Sequence, residues 1–156
     1  MGAIMKNIII GLDMDIVPGK SIGGICLGDN INDIIQRIEY KYSLTKSSFS
    51  NNTGNYSFYR VQGGAISFTT NNHGVIVALW CEPPYLGSFK GKLYPGITAR
   101  EISDKSKRQD IIKGYLVIDQ DFTIYFGMPD DIDDFNSFSD LDDETIFNEL
   151  YVGNLK

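Results

Sequence analysis

Two hydrophobic periods alternate along this chain, and the changes between them outline its elements. Residues 6–12 (KNIIIGL) form a short apolar run that predicts a strand, and DMDIVPGKSIGG then makes a Gly/Pro-punctuated connection into ICLG. From Asn30 the period lengthens. Ile31, Ile34, Ile35 and Ile38 fall at i, i+3, i+4 and i+7, the stripe of an amphipathic helix ending near Lys41, with Asn30 placed to cap it and Asp33 in its first turn. The period then shortens to two. YSLTKSSF, YSFYRVQ, GAISFTT and VIVALWC read as strands, separated by the polar loop SNNTGN and the turn cluster NNHG. YSFYRVQ sets Tyr56, Phe58 and Arg60 opposite Ser57, Tyr59 and Val61. VIVALWC is apolar in both phases, which predicts a central strand covered on each side. Residues 55–81 are thus expected to form a three-stranded antiparallel meander.

After the break CEPPYLGSFKGK, Thr98 and Glu101 make a capping box for a second, short helix, with Ile97 and Ile102 spaced for a staple-like contact. GYLVIDQDFTIYFG predicts two strands around a turn at Asp119–Asp121. ETIFNELYV reads either as a helical turn or as a last strand. LGDNINDII (27–35) matches YPGITAREI (94–102) when Gly28 is set on Gly96: each has a cap residue two positions later, then an acid, then an Ile. The expectation is one α+β domain spanning 1–156, a mostly antiparallel sheet with two short helices on one face. Segments 20–85 and 86–156 are candidate pseudo-repeats.

Composition adds that this is a globular chain of 156 residues with 42% hydrophobic and 12% aromatic content, and with 16 Gly. Cys26 and Cys81, in GGICLG and VALWCE, read as free thiols in strand-like surroundings. Neither a cleavable leader nor an apolar run of membrane-spanning length is visible, so a cytoplasmic, membrane-independent protein is expected. Charge changes the picture more. Nine of the twenty acidic residues lie between Asp130 and Glu149, without a Lys or Arg among them, while the remainder has eleven acids against fourteen bases. Local acidity of this kind disfavours a nucleic-acid partner and suits a basic protein or a cation.

Each candidate chemistry has a simpler structural reading beside it. The run IIIGLDMD resembles the start of a haloacid-dehalogenase-type phosphatase, with Asp13 as nucleophile, Asp15 as acid and Mg²⁺ held by later acids; that fold needs parallel βαβ units, and the strands here are hairpins. Asp131/Asp133 and Asp140/Asp142, with Glu144, have the D-x-D spacing of a calcium loop but lack its central Gly, and Phe135 falls on a ligand position. The single His, His73, sits in the NNHG turn, where a residue tolerant of unusual backbone angles is the simple explanation. No catalytic residues, cofactor or metal are therefore assigned. Tyr85, Phe89 and Tyr94 in the connector, and Phe135 and Phe138 in the acidic run, have the composition of a binding surface, or else are rings that fold back into the core.

In chain order, GKSIGGICLGDNINDII, ALWCEPPYLGSFKGKLYPGITAREI and GYLVIDQDFTIYFG with its acidic turns resemble immunity proteins of bacterial contact-dependent growth-inhibition and related polymorphic toxin systems, over roughly residues 18–152. The resemblance implies a non-enzymatic cytoplasmic protein that binds and neutralises the toxin domain of its own system, of which a nuclease is the expected kind. The alternatives are a calcium-binding or other protein-binding module and, behind those, the Mg²⁺-dependent phosphatase. The resemblance transfers no site. The acidic face is proposed on charge alone: Asp130, Asp131, Asp133, Asp134, Asp140, Asp142, Asp143 and Glu144 as the partner-binding carboxylates, with Phe135 and Phe138 as apolar anchors.

Overall fold

A computed structural model describes residues 9–129 and 137–156. The hairpin β1 (Ser21–Ile22) and β2 (Ile25–Cys26) leads into α1 (Ile31–Lys41), and β3 (Leu44–Asn51), β4 (Gly54–Val61), β5 (Ile66–Thr70) and β6 (Ile76–Cys81) follow. The second half runs β7 (Ile97–Thr98), α2 (Ala99–Lys105), β8 (Gln109–Ile112), β9 (Tyr115–Ile118), β10 (Ile124–Gly127), β11 (Ile146–Phe147) and β12 (Leu150–Val152). The fold is α+β: one antiparallel eight-stranded sheet, in the order β3-β4-β5-β6-β12-β10-β9-β8, with both helices packed into the core on one face.

Both helices begin where the caps require. Asn30 accepts the backbone N–H of Asn32 at 3.0 Å, and Thr98 accepts that of Glu101 at 3.2 Å. Ile31, Ile34 and Ile38 from α1, with Ala99 and Ile102 from α2, are buried against the alternate residues of the strands: Tyr59 and Val61, Ile66 and Phe68, Leu79 and Cys81, Leu150 and Val152, Ile124 and Phe126, Leu116 and Ile118.

The entries to the two helices are bonded alike. Gly28 N–H donates to the Ile76 carbonyl and Ile31 N–H to that of Gly74; Gly96 N–H donates to Phe147 and Ala99 N–H to Thr145. The same offset that aligns Gly28 with Gly96 aligns Ile31 with Ala99. Gly28 and Gly96 also share a left-handed backbone, φ 87° and 91°. At the centre of the sheet Leu79 pairs with Val152, Trp80 with Tyr151 and Cys81 with Leu150. Exchanging the halves maps this register onto itself, so a local twofold axis passes through the Trp80–Tyr151 pair.

Several expectations need correction. Ile9–Leu12 is not a strand; Gly11 N–H bonds the Gly23 carbonyl, and the backbone of the β1–β2 turn presses against Ile9. The rest of the expected 6–12 strand lies outside the described residues. ETIFNELYV becomes β11 and β12, because Ile146 and Phe147 bond the entry to α2 before Leu150 joins β6. β8 was not expected at all: its QDII is too short to show a period. β6 is central, but its second face is not covered by another element among the described residues, and Val77 is 47% exposed.

Candidate binding surface

The acidic segment is described only in part; Asp130, Asp131, Asp133, Asp134 and Phe135 lie outside the described residues. Asp140, Asp142, Asp143 and Glu144 are exposed, and two of them shape the loop that carries them. Asp140 accepts the Ser137 N–H at 3.2 Å, closing a single 3₁₀ turn, and Asp142 accepts the Glu144 N–H at 2.8 Å. Phe138 is not an outward anchor. It is half-buried against the core, its ring stacked 6.3 Å from that of Phe147. The connector rings turn inward as well. Tyr85 is buried with its hydroxyl donating to the Met14 carbonyl at 2.6 Å, Phe89 and Tyr94 pack on the core, and Tyr94 donates to Glu101. That hydrogen bond pushes the Tyr94 hydroxyl up to about 12 and lowers Glu101.

A group of half-buried aromatics lies elsewhere, on the face of the sheet opposite the helices. Phe58, Trp80, Tyr151, Tyr125 and Tyr115 occupy the outward phase of β4, β6, β12, β10 and β9 and form a continuous half-buried array. Phe58 stacks on Trp80 at 5.6 Å, Trp80 on Tyr151 at 5.3 Å and Tyr151 on Tyr125 at 5.7 Å, while Tyr115 meets both tyrosines edge-on at 5.0 and 5.4 Å. Small neighbours allow these approaches. β5 presents only Ser67 and Thr69 outward, so Phe58 and Trp80 lean over it from either side and leave Ser67 1% exposed, its hydroxyl without a partner. A Cβ on Gly127 would come 2.7 Å from a Glu149 carboxylate oxygen and 3.1 Å from the Tyr151 ring, and one on Gly153 would come 2.6 Å from the Tyr125 hydroxyl.

Carboxylates border the array. Tyr151 donates to Glu149 Oε1 at 2.8 Å. Burial, then the Glu149 hydrogen bond and the nearby charges of Glu149 and Glu82, hold the Tyr151 hydroxyl well above the ordinary tyrosine value; burial also raises Tyr125. Arg60, across Ser67 from Trp80 in the ladder, donates to the Gly63 carbonyl at 2.9 Å, and beside edge strand β8 Arg108 pairs with Asp110 at 2.8 Å. The strands carry half of this signal, grouping the rings on one face without saying which face is buried. Leu79-Trp80-Cys81, Leu150-Tyr151-Val152 and Ile124-Tyr125-Phe126 each place one ring between two core residues, and period two sends it to the other face.

A second concavity lies on the helix side. The β3–β4 hairpin pairs on through Phe49↔Tyr56 to Asn51↔Gly54, beyond the last β4–β5 pair, Ser57↔Thr70. Its overhang and the Asn71–Gly74 turn enclose a polar cleft of about 520 Å³, lined among others by Lys46, Ser48, Tyr56 and His73. His73 serves the turn, donating its N–H to Asn71 and accepting from the Asn30 side chain; the positive φ falls on Gly74 instead. Asp13 and Asp15 are exposed loop residues beside a wholly antiparallel sheet, not at the end of a parallel one. Among the described residues no three His, Cys, Asp or Glu side chains group to hold a metal ion, and no helix is long and apolar enough to cross a membrane. Among the described residues neither Cys26 nor Cys81 is joined in a disulfide. No protein-family model, curated protein or solved structure matches the chain.

Proposed function

We propose that this chain is an immunity-type inhibitor: a protein without turnover of its own that binds the toxin domain of its own system, a nuclease being the expected kind, and blocks it. The observation that supports this reading is a sheet face without a helix over it, carrying five half-buried aromatic rings beside Glu149, on a molecule that also exposes Asp140, Asp142, Asp143 and Glu144. Rings supply contact area and anchors, and clustered carboxylates steer a basic partner toward them. A nuclease carries Lys and Arg to hold phosphates, which gives carboxylates something to match. The resemblance in the helix entries and hairpins points the same way.

The test is co-expression with the C-terminal domain of a large secreted protein encoded immediately upstream. Protection of the host, and a 1:1 complex whose association rate falls steeply with salt, are the expected results. A toxic domain that still kills in the presence of this protein, with no complex formed, sinks the reading. Replacing Asp142 and Asp143 by Lys tests the acidic segment alone: unchanged rate and affinity would leave inhibition standing and remove that segment from it.

A further inference from the structure

We infer that the partner is seated on the helix-free face of the sheet, over the local twofold axis, and that it is recognised there by arginine or lysine side chains laid across the Trp80–Tyr151–Tyr125 array. This deepens the inhibitor reading and rests on it for the partner's identity. Three observations carry it. The array is a single surface, because rings from five strands each touch the next, so it offers a contact area and not scattered rings. Its charge is negative where the rings are densest. Glu149 receives only the neutral hydroxyl of Tyr151, which leaves its charge in place, and Glu82 lies near enough to act on the same hydroxyl. Of the two arginines beside the rings, Arg108 is paired with Asp110, and Arg60, across Ser67 from Trp80, has its guanidinium turned to the Gly63 carbonyl.

Phenol and indole rings next to carboxylates select cations, at the parts of each ring that its stacked neighbour leaves uncovered. A guanidinium can stack on an indole or phenol while its edge donors meet a carboxylate, and both contacts strengthen as water leaves. The face also discriminates against other occupants. A phosphate backbone would be repelled by Glu149 and Glu82, and a purely apolar surface would have to desolvate them. The unpartnered Ser67 hydroxyl beneath the Phe58–Trp80 pair marks how tightly the rings close on the sheet in the free protein. The partner therefore meets a preformed platform.

Trp80 is the single tryptophan, so its emission reports this face directly. The experiment titrates the intact protein at low ionic strength with an oligo-arginine peptide, with an oligo-glutamate peptide and with a single-stranded oligonucleotide. Oligo-arginine should quench or shift Trp80 emission saturably, and the other two should not. Glu149→Gln, which keeps the side-chain volume, and Tyr125→Leu should each weaken the arginine peptide by about threefold or more, the loss expected for one cation–π or charge contact. Neutralising Glu39, exposed on α1 on the opposite side of the sheet, to Gln should leave the peptide affinity unchanged within twofold. The proposal is overturned by peptide binding that leaves Trp80 emission unmoved, by an affinity that Glu149→Gln and Tyr125→Leu leave unchanged, by a saturable response to the oligonucleotide, or by no binding at millimolar peptide. Those outcomes leave the host-protection result untouched, whereas loss of protection with an intact peptide response removes the inhibitor reading and keeps the surface.

Discussion

Ser67→Ala should make this protein more stable. Ser67 lies on the outward phase of β5, between Arg60 on β4 and Trp80 on β6, and is 1% exposed beneath the Phe58–Trp80 stack. Its hydroxyl has no hydrogen-bond partner among the described residues. Leaving such a group buried costs about 1–3 kcal/mol relative to its hydration in the unfolded chain. Deleting the oxygen opens at most about one water-sized probe volume, roughly 10–15 Å³. At about 24 cal/mol per Å³ that space costs only about 0.3 kcal/mol. The expected balance is a gain of about 1–2 kcal/mol, or about 2–8 °C in Tm for a domain of this size. Urea unfolding followed through Trp80 should show a higher midpoint with an unchanged slope. Destabilisation by about 1 kcal/mol or more would mean that the hydroxyl is satisfied and that the rings do not exclude water from it. Ser67→Val is the control: its extra methyl must wedge under the rings and should destabilise by about 1–3 kcal/mol.

Three further outcomes follow from the same structure. Gly24→Ala should cost about 2–5 kcal/mol in the same unfolding assay, because Gly24 has φ 87° and a Cβ there would lie 2.0 Å from the Ile9 carbonyl oxygen. Tyr85, Tyr94, Tyr125 and Tyr151 all have raised folded-state pKa values, so the folded state holds these protons longer than the unfolded chain. Their stabilisation is complete below the ordinary tyrosine value of about 10 and is lost as pH climbs above it. Ultraviolet titration should show these tyrosines ionising together with unfolding, and free titration of all nine near pH 10 in the folded protein would contradict the burial. An aromatic disulfide reagent should label Cys26 in the native protein and reach Cys81 only on unfolding, since Cys81 is fully buried with its thiol pushed up by burial and by Glu82.

Local chemistry made the framework legible. The isoleucine stripe after Asn30 and the Thr98–Glu101 box were read correctly because a cap and a helical period are properties of neighbouring residues. The hairpins from 42 to 81 were legible for the same reason. The aromatic surface was missed because period-two alternation assigns residues to two faces without saying which face is buried. VIVALWC is apolar in both phases, and only the packing of α1 and α2 decides that Leu79 and Cys81 face the core while Trp80 faces out. For the connector rings the sequence leaves two readings open, and the packing decides for the inward one. Tyr85 folds inward because its hydroxyl finds the Met14 carbonyl, seventy-one residues away along the chain.

The sequence by itself determined both helices with their caps, the hairpins between 42 and 81, the two similar helix entries and the concentration of charge between Asp130 and Glu149, since each depends on neighbours or on composition alone. Tertiary structure decided what those elements present to a partner. It brought β12 beside β6, set Trp80 against Tyr151 across the local axis, and gathered rings from five strands into one surface. The physical reason is distance along the chain. Trp80 and Tyr151 meet only because Ile146 and Phe147 bond the entry to α2 and so deliver the last strand to the centre of the sheet. A partner reads that surface as a whole, and its rings are adjacent in space and not in sequence.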